Sequence, residues 1–114
     1  MTYGNDAKQS LLGVSPALLN QHGAVSEPVV IEMARSALRH AAADYALSIS
    51  GIAGPDGGSP DKPVGTVCIA LARDEGTVAR TFVFPGDRDF IRDRSAKMAL
   101  TMLRYEMLGK KMPF

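Results

Sequence analysis

Gly65-Thr66-Val67-Cys68-Ile69-Ala70-Leu71-Ala72 is apolar nearly throughout and rich in β-prone residues. An uninterrupted run of this kind, too short for a long helix, predicts a strand covered on both faces, so the chain must supply a layer on each side of it. Two segments have the right period. Ser26 is placed to cap a helix from Glu27 to about Ala42, whose apolar residues Val30, Met33, Ala34, Ala37, Leu38 and Ala41 form one stripe. Pro85-Gly86-Asp87 breaks the chain and caps a final helix to about Leu108, in which Ile91, Ser95, Met98, Ala99, Met102 and Tyr105 share a face.

Around these lie shorter signals. Asn5 caps a helical stretch from Asp6 to Leu12 closed by Gly13, and Ser15-Pro16 opens a second short helix stopped by Gly23. Tyr45 to Ser50 alternates like a strand and enters a glycine- and proline-rich loop from Gly51 to Pro63. Asp74-Glu75-Gly76 reads as a tight turn, and Val78 to Phe84 as the returning strand of an antiparallel hairpin. The sum is an α/β fold, a three-layer α/β/α sandwich with a mixed sheet. Three strands are few for two amphipathic helices and a doubly covered strand, so the single domain that residues 1–114 describe needs more sheet, from another chain or from missing sequence. The apolar surface left over predicts a homo-oligomer.

Thirteen Lys and Arg against twelve Asp and Glu give a net charge of +1, and the basic residues are scattered. Phosphate-backbone binding needs a dense basic stripe, so a nucleic-acid partner is not expected. Cys68 is the only cysteine and lies within the apolar run, which rules out an internal disulfide and offers no zinc spacing. No stretch approaches the roughly 20 apolar residues that span a bilayer, and the first residues lack a signal-peptide pattern. The expectation is a cytoplasmic protein with no membrane partner, metal or cofactor.

The loop Gly51-Ile52-Ala53-Gly54-Pro55-Asp56-Gly57-Gly58 is the most unusual local feature. Clustered glycines let main-chain amides approach a phosphate or oxyanion, and they also suit an irregular connection between strands. No Gly-Lys-Ser/Thr follows, so this is not a common nucleotide phosphate loop. Tyr3 and Lys8 straddle a strand-to-helix junction. A lysine becomes a base there only if burial or neighbouring cations lower its pKa. Ser50 can donate to a ligand or satisfy the loop main chain, and His22 and His40 read as helix-end residues.

Three stretches together resemble one family. Thr2-Tyr3-Gly4-Asn5-Asp6-Ala7-Lys8 through Leu11-Leu12-Gly13-Val14 is similar to its TYSNxxKxxLLGV segment, and His22-Gly23-Ala24-Val25-Ser26 to its HGAVS. Ser50 through Val67 is similar to its TGIAGPxGGxxxKPVGTV, and Phe84-Pro85-Gly86-Asp87-Arg88 matches as well. The chain thus resembles the CinA C-terminal domain family, whose active members convert nicotinamide mononucleotide to nicotinic acid mononucleotide and ammonia without a metal. The resemblance implies a serine nucleophile in an ESCTGG motif, with Lys8 as assisting base and Tyr3 as proton relay. It further implies that Ser50, where the family usually has threonine, and Gly51, Gly54, Gly57 and Gly58 line the substrate site, with Arg88 or Arg92 at the phosphate. The 114 residues contain no ESCTGG segment, so the resemblance implies that residues 1–114 are a single CinA C-terminal domain lacking its N-terminal part. An inactive chain is therefore expected, the alternative being a non-catalytic nucleotide-binding or oligomerisation module.

Overall fold

The computed structural model describes residues 14–114. The helix expected after Asn5, together with Tyr3 and Lys8, falls outside the described residues. The elements run α1 (Pro16–His22), α2 (Glu27–Ala41), β1 (Ala46–Gly51), β2 (Thr66–Arg73), β3 (Gly76–Val83) and α3 (Arg88–Met107). The sheet has the order β1-β2-β3, and both pairings are antiparallel. Helix α2 lies on one face and α3 on the other, with α1 against α2, which gives the three-layer α/β/α sandwich.

Strand β2 is buried along both faces, as its composition requires. Cys68, Ala70 and Ala72 point toward Val29, Val30, Met33 and Ala34 of α2, whereas Val67 and Ile69 point toward Ile91, Ala99 and Met102 of α3. The α2 side of the sheet carries small residues, with Ser48 opposite Ala70 and Ser50 opposite Cys68. The helix packs closely enough for the Ser48 hydroxyl to donate to the Val30 carbonyl at 2.5 Å, a buried polar group made affordable by its partner. On the α3 side larger groups fill the space: Phe82 and Phe84 stack at 5.4 Å, and Phe114 returns to meet Phe82 and Tyr105.

The helix ends follow the sequence signals with one difference. Ser15 accepts from the Leu18 amide at the start of α1, and Asp87 accepts from the Phe90 amide at the start of α3. Ser26 occupies the N-cap position of α2, but its hydroxyl donates backward to the Gly23 carbonyl at 2.8 Å. The turn after α1 takes up that hydroxyl, and Glu27 with Pro28 in the first turn suits the helix start without it.

Candidate functional site

The chemistry-bearing residues gather at one end of the sheet. Strand β1 ends there at Gly51, β2 begins at Thr66, and the 52–65 loop joins them. Both long helices start at this end: Thr81 of β3 donates to the Glu27 carboxylate at 2.6 Å, and Arg88 donates to the Gly54 carbonyl at 3.2 Å. The positive ends of two helix dipoles therefore face the same region.

The loop is tightly built. The ladder between β1 and β2 continues into it, with the Ile52 amide donating to Thr66 at 2.9 Å and the Gly65 amide donating to Ile52 at 2.7 Å. A turn closes where the Ser59 amide donates to the Lys62 carbonyl and the Lys62 amide to the Ser59 hydroxyl. Gly54 and Gly58 wrap around Val64. A Cβ on Gly54 would come within 2.6 Å of a Val64 methyl, and one on Gly58 within 2.7 Å of the Val64 amide nitrogen. These glycines are required by close packing inside the loop, whatever else the loop contacts.

Ser50 is buried, and its hydroxyl donates to the Ala24 carbonyl at 2.8 Å, which ties β1 to the turn between α1 and α2. Gly51 abuts Val67, Gly54 is buried, and Gly57 and Gly58 are exposed. Arg88 is thus brought to the loop, while Arg92 lies exposed one helical turn further along α3. Two participants carry no strong sequence signal. Lys62 reaches from the loop to the His22 carbonyl at 2.9 Å, and Glu27, legible as a helix-start residue, also receives Thr81. The signals available for the first are its place in a run of Gly and Pro and its match to the lysine of the KPVGTV stretch.

Cys68 stands in a row with Ser50 and Thr81 across the sheet. Burial pushes its thiol above the ordinary value. The Thr81 hydroxyl opposes this, the Glu27 charge adds to it, and the Lys62 charge again opposes it. A raised thiol pKa keeps Cys68 protonated near neutrality, so it is a packing residue and not a nucleophile. Ser48, Ser50 and Thr66 each donate to a main-chain carbonyl. The described part of the site therefore supplies shape, amides and cations, and its hydroxyls are engaged in holding it together. Among the described residues no group of three or more His, Cys, Asp or Glu could hold a metal ion, and no helix is long and apolar enough to cross a membrane.

The model of the CinA C-terminal domain matches residues 1–107. The nicotinamide-nucleotide amidohydrolase PncC of Escherichia coli is 56% identical over 110 residues, covering 95% of this chain and 66% of that protein. A CinA-like protein of Mycobacterium tuberculosis is 53% identical over 110 residues, covering 96% of this chain but 26% of its own length. Among solved structures, a competence damage-inducible protein from Klebsiella pneumoniae superposes with a TM-score of 0.89 at 36% identity, covering 94% of this chain and 66% of that one. One from Agrobacterium tumefaciens gives 0.86 at 40% identity, covering 90% and 63%. The sequence thus spans about a quarter to two thirds of the proteins it matches. The chain belongs to the CinA C-terminal domain family.

Proposed function

We propose that this chain carries the nucleotide-binding and proton-handling part of a nicotinamide-nucleotide amidohydrolase. The observation that supports this reading is the 56% identity with the Escherichia coli amidohydrolase over 95% of the chain. In the proposed reaction a serine attacks the carboxamide carbon of nicotinamide mononucleotide, ammonia leaves, and water releases nicotinic acid mononucleotide from the acyl-serine. The serine belongs to the ESCTGG motif, which these 114 residues do not contain, so this chain by itself is expected to release no ammonia. Lys8 takes the role of base and Tyr3 that of relay. The nucleotide lies at the end of the sheet where Ser50, Gly51, Gly54, Gly57 and Gly58 meet Arg88, with Arg92 a turn behind and the starts of α2 and α3 favouring its phosphate. The site is cytoplasmic, where free pyridine nucleotides are turned over.

Calorimetric titration tests the binding half of this reading. Nicotinamide mononucleotide is expected to bind at millimolar concentration or below. Arg88→Ala should weaken it by about tenfold to a hundredfold, the usual effect of losing a hydrogen bond to a charged group. Nicotinamide riboside, which lacks the phosphate, should respond little to the same change. Absence of any heat at millimolar nucleotide would sink the reading.

Self-association is the second proposal, and exposed apolar side chains support it: Val83 is 61% exposed, Leu100 62%, Met107 64% and Leu108 56%. Sedimentation equilibrium is expected to return a multiple of 12.1 kDa. A single monodisperse species at the monomer mass would refute it.

A further inference from the structure

We propose that Lys62 is a positioning residue, whose ammonium ties the glycine loop to the carboxyl end of α1 and so fixes the width of the nucleotide site. The idea rests on the functional reading above for its consequence, but not for its geometry. Helix α1 ends at His22, whose carbonyl lies in the last turn, where acceptors have no intrahelical donor and the dipole is negative. The Lys62 ammonium donates to that carbonyl at 2.9 Å across 40 residues of sequence. Its stem is aimed by the reciprocal Ser59–Lys62 turn, which fixes the main chain on either side of the lysine. Gly23 lies directly beside the ammonium, since a Cβ there would stand 3.5 Å from Nζ, an ordinary contact distance.

The loop is held from two sides by cations. Arg88 holds it from the α3 layer through the Gly54 carbonyl, and Lys62 holds it from the α1 side through His22. Ser50 also reaches the turn after α1, but it does so from β1, upstream of the loop. Releasing Lys62 therefore frees the 59–62 part of the loop from the 22–26 turn while leaving the sheet and Arg88 in place.

The test compares Lys62→Met with Lys62→Arg by hydrogen exchange on the unliganded chain, followed by titration with nicotinamide mononucleotide and nicotinamide riboside. In Lys62→Met, the amides of Ser59 and Lys62 should exchange about tenfold faster, the scale of one charge-assisted hydrogen bond. The β2–β3 ladder amides should stay unchanged, and Lys62→Arg should restore the loop to within about threefold. Both ligands should bind about tenfold more weakly to the Met variant, because the site loses its shape and not a phosphate contact. Loop exchange that does not respond, or that rises equally in the β2–β3 ladder, overturns the proposal. So does a loss confined to the phosphorylated ligand, which would make Lys62 a direct phosphate contact. If the parent chain binds neither ligand, the functional reading fails while the exchange comparison still decides the tether. Should Lys62→Met fail to fold, Lys62→Gln, too short to reach His22, is read in the same way.

Discussion

Gly65→Ala is expected to lower the stability of the chain by about 3 kcal/mol or more, a large share of the roughly 5–15 kcal/mol available to a domain of this size. Gly65 is buried at φ +100, where an L side chain is strained, and its Cβ would sit 2.1 Å from the Phe84 carbonyl oxygen. The obstacle is main chain, so no side-chain rotation relieves it. Moving it would break the Phe84 amide's bond to the Gly65 carbonyl at 2.9 Å and the Gly65 amide's bond to Ile52 at 2.7 Å. Gly109→Ala provides the control. It also has positive φ, +66, but nothing lies within 4 Å of its Cβ, and its cost should be about 1–2 kcal/mol from conformation alone. Urea unfolding of both variants separates the two effects. Equal midpoints would mean that the close approach of Gly65 to Phe84 is wrong.

Lys8→Ala should lower turnover of nicotinamide mononucleotide by about 10²–10⁴-fold in the protein that joins this chain to a serine-bearing segment, with little change in KM. Under the proposed mechanism the lysine accepts a proton as the serine attacks, so it must be neutral when substrate is bound. The rate should then rise with pH through the lysine pKa, and the Ala variant should lose that limb of the profile. Lys8→Arg should not rescue, because a guanidinium keeps its proton at any working pH. A variant that retains turnover, or an Arg variant that restores it, removes Lys8 from the role of base.

Most of the fold was legible in local sequence because its signals are local. Seven consecutive buried residues in β2 could be met only by layers on both faces, and Asp87 and Ser15 announced the starts of α3 and α1 through short-range capping. Strand ends moved by a residue or two. Tyr45, at 37% exposure, falls outside β1, and Phe84 falls just beyond β3 while still pairing with Gly65.

The candidate site was less readable, since its defining contacts join residues far apart in sequence. Lys62 and His22 are 40 apart, Arg88 and Gly54 34, and Thr81 and Glu27 54. No periodicity encodes such pairs, which exist only once the sheet brings its loops to one end. Ser50 is a further case: its hydroxyl donates to the Ala24 carbonyl, 26 residues away in the turn that follows α1, a partner no local pattern names. Glu27 carried a legible charge at a helix start, but its bond to Thr81 depended on α2 crossing β3 at that height.

The two faces of the sheet will respond to substitution in opposite ways. Toward α2 the sheet offers serine, alanine and cysteine, and a hydroxyl 2.5 Å from a helix carbonyl shows that the layers already touch. Enlargement is the damaging change on that side, since an added methylene must push α2 outward and carry the Glu27 end of the site with it. Toward α3 the space is filled by isoleucine, methionine and phenylalanine, so truncation opens a void there, and the loop residues Ala53 and Val64 that pack against this cluster lose support with it. Sequence drift that preserves this protein's site should therefore be free to exchange large residues beneath α3, and should remain confined to small ones beneath α2.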